Sequence, residues 1–368
     1  MFADTDTVMM ARAIELAEQA VYRCRPNPAV GCVLVKEGLI IGEGSTQPAG
    51  GNHGEVEALN AAKAAGHDPA GATVYVSLEP CNHTGRTGPC SEALVAAGVS
   101  RVVTALQDPN PQVSGSGLLT LSNAGIAVDV GLMEVEAGAI NPGFFKRMRT
   151  GLPWVRLKSA ASLDGRTAMA SGESQWITGP EARADVQRLR ARSGAIITGI
   201  GTVLADNPKL TVRDDAYDIP AQPLRVVLDS TLQTPADAAV VNEPGDVLLI
   251  HSDAVEPDNR SSTLEVAHDA ATGLDLLHVL RELGAREVNE VLVECGARLA
   301  GSFLQAGLVD EWVLYTAPTL LGSDARPLAL LPLSTMAEQQ RFTVEDLTRV
   351  GDDVRWMLKP NEGNGNGL

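Results

Sequence analysis

Cysteine is scarce in this chain, with five among 368 residues, at positions 24, 32, 81, 90 and 295. So odd and thinly spread a set does not make a disulfide framework. Long apolar runs are also missing, and no stretch approaches the roughly 18 residues that a membrane-spanning helix requires. The opening MFADTDTVMM has no basic region ahead of an apolar one, so no signal peptide is expected. Together these absences predict a cytoplasmic protein whose thiols stay reduced. Positive charge is in deficit: 29 Lys and Arg stand against 46 Asp and Glu, a net −17. Nucleic acids and anionic membranes are met by a basic face, and this balance excludes a broad one. Aromatic residues make up only 4% and are not interleaved with basic ones, which removes the stacking platform of a single-strand binder. A small anionic substrate stays open, because a few arginines suffice to hold it. No internal repeat is found.

Hydrophobic residues make up 44%, enough for sizeable cores, and the length points to two domains. Met10, Ala13, Ile14, Ala17 and Val21 recur at helical spacing. AVGCVLV and LIIGEG read as strands joined by a short turn at 36–38, and GEVEALNAAKAAG as a helix ending at Gly66. TVYVSLEP, RVVTAL and IAVDVG read as strands, with the helices SEALVAAGV and SGLLTLSNAG between them. A helix, two strands and three helix–strand repeats predict a sheet covered by helices in three layers. Pro, Gly and basic residues then cluster in INPGFFKRMRTGLPW, which places a boundary near 145–150 and divides 1–147 from 148–360. Beyond it, strands are expected at WVRLKSAAS, GAIITGIG, LRVVLDS, DVLLIHS, EVLVECG and EWVLYTAP, and helices near 180–192, 274–284 and 297–307. The ending NEGNGNGL, 361–368, reads as a disordered tail.

The segment EPCNHTGRTGPC, 79–90, raises three readings: a disulfide loop, a metal site, or a turn that contains cysteine. Reduced thiols disfavour the first. Upstream, GGNHGEVEAL sets His53 and Glu55 in an H-x-E arrangement at a helix start. H-x-E followed by P-C and a second Cys is the pattern of zinc deaminases. One imidazole and two thiolates hold Zn²⁺ and leave a fourth position for water, whose pKa the metal lowers to about 7. Glu55 would carry a proton from that water to the ring nitrogen and then to departing ammonia. Cys90 would open the helix SEALVAAG, where unpaired N–H groups favour a thiolate. H-x-E alone is a weak signal, and two cysteines nine apart also fit an inert pair or a structural zinc site. The strength lies in the combination, because each half sits where a strand passes into a helix.

Ordinary nucleoside and nucleic-acid deaminases have C-x-x-C, whereas eight residues separate Cys81 from Cys90. A long polar loop over a metal site is placed to read a substrate. With PNPAVGCVLV at 26–35, HGE at 53–55 and the P-C-x₈-C loop, the chain resembles the bifunctional riboflavin-biosynthesis deaminase–reductases. That resemblance implies an N-terminal three-layer α/β/α, cytidine-deaminase-like domain. In it His53, Cys81 and Cys90 bind zinc, Glu55 shuttles protons, and Asn27, His83 and Arg86 line the pyrimidine pocket. Read without it, Asn27 is a turn residue between prolines, and Cys24 and Cys32 are core thiols. Two positions depart from the family pattern: Gly54 stands where H-A-E is usual, and Thr46 where a histidine is frequent. If that histidine helps to hold substrate, its contact is lost or replaced here.

In the second half, GIGTVL at 199–204 lacks the third glycine of the dinucleotide fingerprint. Composition alone gives an α/β domain and no more. The runs LKSAASLDG, SGESQWIT, GTVLADNPKLTVR, VVLDS, VECGARLAGS and LLGSDA resemble, in order, the reductase half of the same family. The resemblance then covers nearly the whole chain except the tail. It implies a dihydrofolate-reductase-like α/β domain that uses NADPH. Ala160, Trp176, Thr202, Asp206, Ser230 and the run Gly296, Ala297, Arg298, Leu299, Ala300, Gly301 and Ser302 would contact the cofactor. Ser174, Arg190, Leu210, Arg213 and Glu294 would contact substrate. Arginine suits a ribose phosphate through paired, charge-assisted bonds, and a helix opening at GARLAG offers N–H groups to another. Lys158 and Glu294 are the candidates for polarising the sugar carbonyl and relaying a proton. On the residues alone, Arg190 also fits a solvated helix face, Trp176 a core position and Asp164 a turn.

The expected function is a two-step enzyme of riboflavin biosynthesis acting on a small-molecule substrate. It deaminates a diaminopyrimidinone carrying a phosphoribosylamino group, then reduces the ribosyl chain to ribityl with NADPH. The resemblance also favours a homo-oligomer. The alternatives are a zinc deaminase with a non-catalytic reductase-like half, a binding protein with structural zinc, and a nucleic-acid base deaminase. The negative charge disfavours the last, and Glu55 has no purpose in the second.

Overall fold

Glu37 and Gly38 carry positive φ angles of 53° and 78°, and the two-residue turn they make sets Lys36 opposite Leu39. Its twist matches that of paired strands, so the hairpin of β1 (Gly31–Lys36) and β2 (Leu39–Ser45) forms where the sequence places it. The computed structural model describes residues 2–83, 88–111, 113–253, 255, 262–269 and 273–361. Two compact units divide the chain, Met1–Gly151 and Leu152–Leu368.

In the first unit α1 (Asp4–Ala20) precedes the hairpin. After it come α2 (Gly54–Ala64), β3 (Thr73–Val76), α3 (Cys90–Ala96), β4 (Arg101–Thr104), α4 (Ser116–Asn123) and β5 (Ala127–Val130). The sheet order is β2-β1-β3-β4-β5, antiparallel as far as β3 and parallel beyond it. Gly31 faces α1, where a Cβ would come within 1.9 Å of the Ala13 carbonyl. Gly44, the cross-strand partner of Cys32, faces α2, where a Cβ would meet the Ala58 nitrogen at 2.4 Å. Successive strand residues point to opposite faces, so α1 and α2 cover opposite sides and the unit has three layers. Met10, Ala13, Ile14 and Ala17 are buried on the inner side of α1.

Two helices not foreseen in the sequence complete this unit, α5 (Glu134–Ile140) and α6 (Pro142–Thr150). Pro142 and Gly151 read as marks of a domain boundary. Instead Pro142 occupies the first position of α6, and Gly151, at φ 75°, closes it. The division expected between 147 and 148 falls inside α6, and the units part after Gly151.

The second unit opens with β6 (Trp154–Ser162), β7 (Arg166–Ala168), α7 (Pro180–Arg192), β8 (Ala195–Gly199), α8 (Ile200–Asp206) and β9 (Leu224–Leu228). It continues with α9 (Ala239–Asn242), β10 (Val247–Ser252), β11 (Ser262–Val266), α10 (Leu276–Ala285), β12 (Glu290–Glu294) and α11 (Ala297–Gln305). Last come β13 (Glu311–Ala317), β14 (Arg326–Pro327), β15 (Phe342–Val350) and β16 (Asp353–Pro360). Among the described residues the large sheet runs β11-β10-β9-β8-β12-β6-β13-β16-β15. It is parallel from β11 to β13 and ends in the antiparallel pair β16 and β15. The central parallel strands read as continuous apolar runs because helices cover both faces. The short elements α8, α9, β7, β11 and β14 were not expected, nor was the closing pair. FTVEDLTRV in β15 is largely exposed and offers no apolar run to read. All four tryptophans, Trp154, Trp176, Trp312 and Trp356, belong to this unit. Of the expected tail, Asn361 donates its N–H to the Arg341 carbonyl at 3.0 Å, and 362–368 lie outside the described residues.

Candidate active site

His53 is the N-cap of α2, with φ −79° and ψ 166°. Cys81 follows β3, and Cys90 is the first residue of α3. Their ligand atoms all lie within 4.8 Å of one another. Cys81 Sγ is 3.5 Å and Cys90 Sγ 3.4 Å from His53 Nδ1. A tetrahedral zinc ion with the usual bond lengths holds such atoms roughly 3.5 Å apart, so the three residues fit it. The Cys90 N–H donates to Cys81 Sγ at 3.4 Å, and the Ser91 N–H to the Cys81 carbonyl at 3.1 Å. The Cys90 thiol bonds to Cys81 and, with His53 beside it, lowers the Cys81 pKa against burial. The same bond, with burial, pushes Cys90 up, and the bond to Cys81 raises the His53 imidazole. Glu55, in the first turn of α2, is 3% exposed. Burial lifts its carboxyl to about 7, and the Cys81 charge adds to the rise. A group that takes up and releases a proton near neutrality suits proton carriage. Cys32 is fully buried, and burial and Glu55 together raise its pKa. Cys24 is also buried and donates to the Asn27 carbonyl at 3.3 Å; both are core thiols.

Asn27 is half-buried, and its N–H donates to the Cys24 carbonyl at 3.0 Å. His83 is exposed at the edge of the described loop, and Arg86 lies outside the described residues. Thr46 is buried, with its hydroxyl turned to the backbone: it accepts the Val30 N–H at 3.0 Å and lies 3.1 Å from the Pro28 carbonyl.

In the second unit the candidates gather at the carboxyl ends of parallel strands, the edge where open α/β sheets bind ligands. Ala160 is on β6, Thr202 on α8 just after β8, Ser230 just after β9, and Gly296 just after β12. No side chain caps α11, and a Cβ at Gly296 would meet nothing within 4 Å. An open helix start of this kind fits a phosphate of NADPH. Further along the run, Ala300, Gly301 and Ser302 are buried against the body, and a Cβ at Gly301 would lie 2.0 Å from the Leu330 carbonyl. Only Gly296, Ala297, Arg298 and Leu299 keep exposed surface at the helix start. Ser174 donates to Asp206 at 3.2 Å. Trp176 is 68% exposed beneath the Arg183 guanidinium, 4.4 Å from its ring centre.

Arg190 is buried and forms two bonds to Glu294, at 2.6 and 3.0 Å, and a third to the Thr211 carbonyl at 3.0 Å. Leu210 is buried at φ 52°, and Arg213 is exposed with its N–H on Gln187. Glu294 stands opposite Lys158 in register. Burial opposes its charge, yet Arg190, Lys158 and Arg213 keep its pKa lowered. A carboxylate held ionised in this way orients its neighbours but stores no proton. Lys158, whose pKa burial lowers with help from Arg190, is better suited to carry one.

Residues 3–106 match the family model of the cytidine and deoxycytidylate deaminase zinc-binding region, and 153–355 match that of the RibD C-terminal domain. The chain belongs to the RibD family. It is 50% identical to the riboflavin biosynthesis protein RibD of Escherichia coli K12, over 95% of this chain and 98% of that one. The solved RibD of Acinetobacter baumannii superposes with a TM-score of 0.89 at 46% identity, covering 97% of this chain and 99% of that one. A Thermotoga maritima structure does so at 0.87 and 33% identity, over 97% and 99%. Its title reads diaminohydroxyphosphoribosylaminopyrimidine deaminase/5-amino-6-(5-phosphoribosylamino)uracil reductase.

Two residues of this RibD-family chain escaped the sequence reading. Glu79, 3% exposed, accepts the N–H groups of Asp108 and Gly115 on one oxygen and of Gly117 and Leu118 on the other, at 2.9–3.4 Å. It thereby caps α4 from a distance and ties the 108–118 loop to the strand leading into Cys81. Asp108 in that loop is buried, and burial lifts its carboxyl to about 6, with the Glu79 and Cys81 charges adding to the rise. The available signal was the Glu that opens EPC, a carboxylate beside an apolar strand with no partner in sequence.

Proposed function

We propose that the chain carries out two consecutive reactions on one phosphoribosyl-pyrimidine. The first unit hydrolytically deaminates a diaminopyrimidinone bearing a phosphoribosylamino group to the corresponding aminouracil. The second reduces the ribosyl chain of that product to ribityl with NADPH. The observation that carries the reading is a three-ligand cluster with a buried carboxyl beside it, since a structural metal site has no need of Glu55.

His53, Cys81 and Cys90 would hold the zinc. When bound, it supplies a water acidified to near neutral pH. Glu55 would take the two protons of that water in turn, passing the first to the ring nitrogen and the second to the leaving ammonia, so one amino group departs and one carbonyl forms. Asn27, His83 and Arg86 are assigned to the pyrimidine and its substituents. In the second unit NADPH supplies a hydride when bound. Gly296 to Leu299 hold a cofactor phosphate at the open start of α11, and Trp176, Thr202, Asp206 and Ser230 complete that side. Arg190 and Arg213, with Ser174, Leu210 and Glu294, are assigned to substrate, and Lys158 to the proton that accompanies the hydride. We also place the protein in the cytoplasm, where thiolate ligands stay reduced, and expect a homo-oligomer. Among the described residues no helix is long and apolar enough to cross a membrane.

The test is zinc content and ammonia release for the wild type and Glu55→Gln, with NADPH oxidation followed on the aminouracil product. About one zinc per chain in both, with ammonia lost only in the variant, supports the first activity. Zinc without ammonia from either returns the site to a structural role. No NADPH oxidation by the wild type would leave a deaminase with a silent second unit.

A further inference from the structure

The segment ahead of β1 is held by side chains. Three successive N–H groups, of Ala29, Val30 and Gly31, donate to Asn141 Oδ1 at 2.8 Å, Thr46 Oγ1 at 3.0 Å and Ser77 Oγ at 3.0 Å. Asn141 Nδ2 donates to the Ala29 carbonyl at 2.8 Å, so this amide pairs with Ala29 as a neighbouring strand would. The Thr46 N–H donates to the Val30 carbonyl at 2.9 Å. The three side chains come from the cap of α6, the end of β2 and the end of β3, and all three are buried. Side chains from three elements, converging on three consecutive amides, define one backbone position.

That position borders the deaminase centre. The Val30 carbonyl lies against the first turn of α2, where a Cβ on residue 54 would be 2.7 Å from it. Thr46 and Gly54 thus meet at one atom. Thr46 meets the carbonyl with its backbone N–H at 2.9 Å and its hydroxyl at 3.3 Å, and Gly54 makes room for it. Asn27 lies just upstream of the clamped residues.

We propose that Thr46, together with Asn141 and Ser77, is a positioning residue for deamination, fixing the segment Asn27–Gly31 as one wall of the pyrimidine pocket. The inference rests on the assignment of Asn27 to substrate made above. Thr46→Val keeps the shape and removes the acceptor for Val30. Its KM for the diaminopyrimidinone substrate is expected to rise about tenfold with kcat within a factor of two, since a lost wall weakens ground-state binding. Thr46→Ser restores the wild-type KM. Zinc content and NADPH oxidation stay unchanged and report an intact fold. A wild-type KM in Thr46→Val, against a raised KM in Asn27→Ala, overturns the clamp alone. An unchanged KM in Asn27→Ala overturns the assignment on which it rests. Amide exchange on the unmodified protein is the second measurement, should Thr46→Val not accumulate. Ala29 and Val30 belong to no strand yet should exchange slowly, and fast exchange at both overturns the proposal.

Discussion

The Arg190 guanidinium grips the Glu294 carboxylate with two parallel bonds, Nε to Oε1 at 2.6 Å and Nη2 to Oε2 at 3.0 Å. Glu294 belongs to β12 and faces Lys158 on β6, so one fork sets the charge at the centre of the reductase edge. Arg190→Ala leaves a buried carboxylate with less compensation. Reductase kcat/KM should fall at least tenfold and the second unit should lose about 3 kcal/mol, read by NADPH oxidation and calorimetry. Arg190→Lys should not restore activity, because an ammonium cannot make the paired bonds. Ammonia release serves as the internal control.

Glu79→Gln replaces one oxygen of a carboxylate that accepts four N–H groups with a donor. Ammonia release should drop about tenfold or more, and the first unit should be destabilised by about 2 kcal/mol, while NADPH oxidation persists. Wild-type deamination by this variant would show that the 108–118 loop needs no anchor.

Stripping the metal with a chelator should abolish ammonia release and leave reduction of the aminouracil intact, with zinc restoring the first reaction. Cys81→Ser or Cys90→Ser should behave like the stripped protein even with zinc supplied. Loss of both reactions on chelation would contradict the separation.

Acid stability follows from Glu290. Burial works against its charge, but Arg192 and Arg156 hold its pKa down to about 2, below the ordinary 4.5. A depressed folded-state pKa means the contribution is complete above the unfolded value and is lost as pH falls from about 4.5 toward 2. The size is on the order of 3 kcal/mol. Calorimetry between pH 6 and pH 3 should show a steeper loss for the wild type than for Glu290→Gln.

The deaminase centre was legible because its ligands sit close in sequence at two strand-to-helix passages, where His53, Glu55, Cys81 and Cys90 each have a short-range signature. What stayed hidden was long-range. Glu79 meets partners 29 to 39 residues later, Asn141 pairs with Ala29 across 112, and Arg190 finds Glu294 across 104. No periodicity announces such bonds. Helix α6 went unread because a proline start and a glycine stop look the same at a domain boundary. The pair β15–β16 was missed because exposed strands carry polar residues.

The confinement of all four tryptophans to the second unit has a spectroscopic consequence. Excited where only indole absorbs, this protein emits from its reductase half, and the deaminase half, with Tyr22 and Tyr75 but no tryptophan, is dark. Reduced nicotinamide absorbs where indole emits, so energy transfer reports cofactor occupancy in the intact chain. Metal held by His53, Cys81 and Cys90 meets no indole of its own unit, whereas the aminouracil product, as the proposed substrate of the second unit, alters the signal there directly.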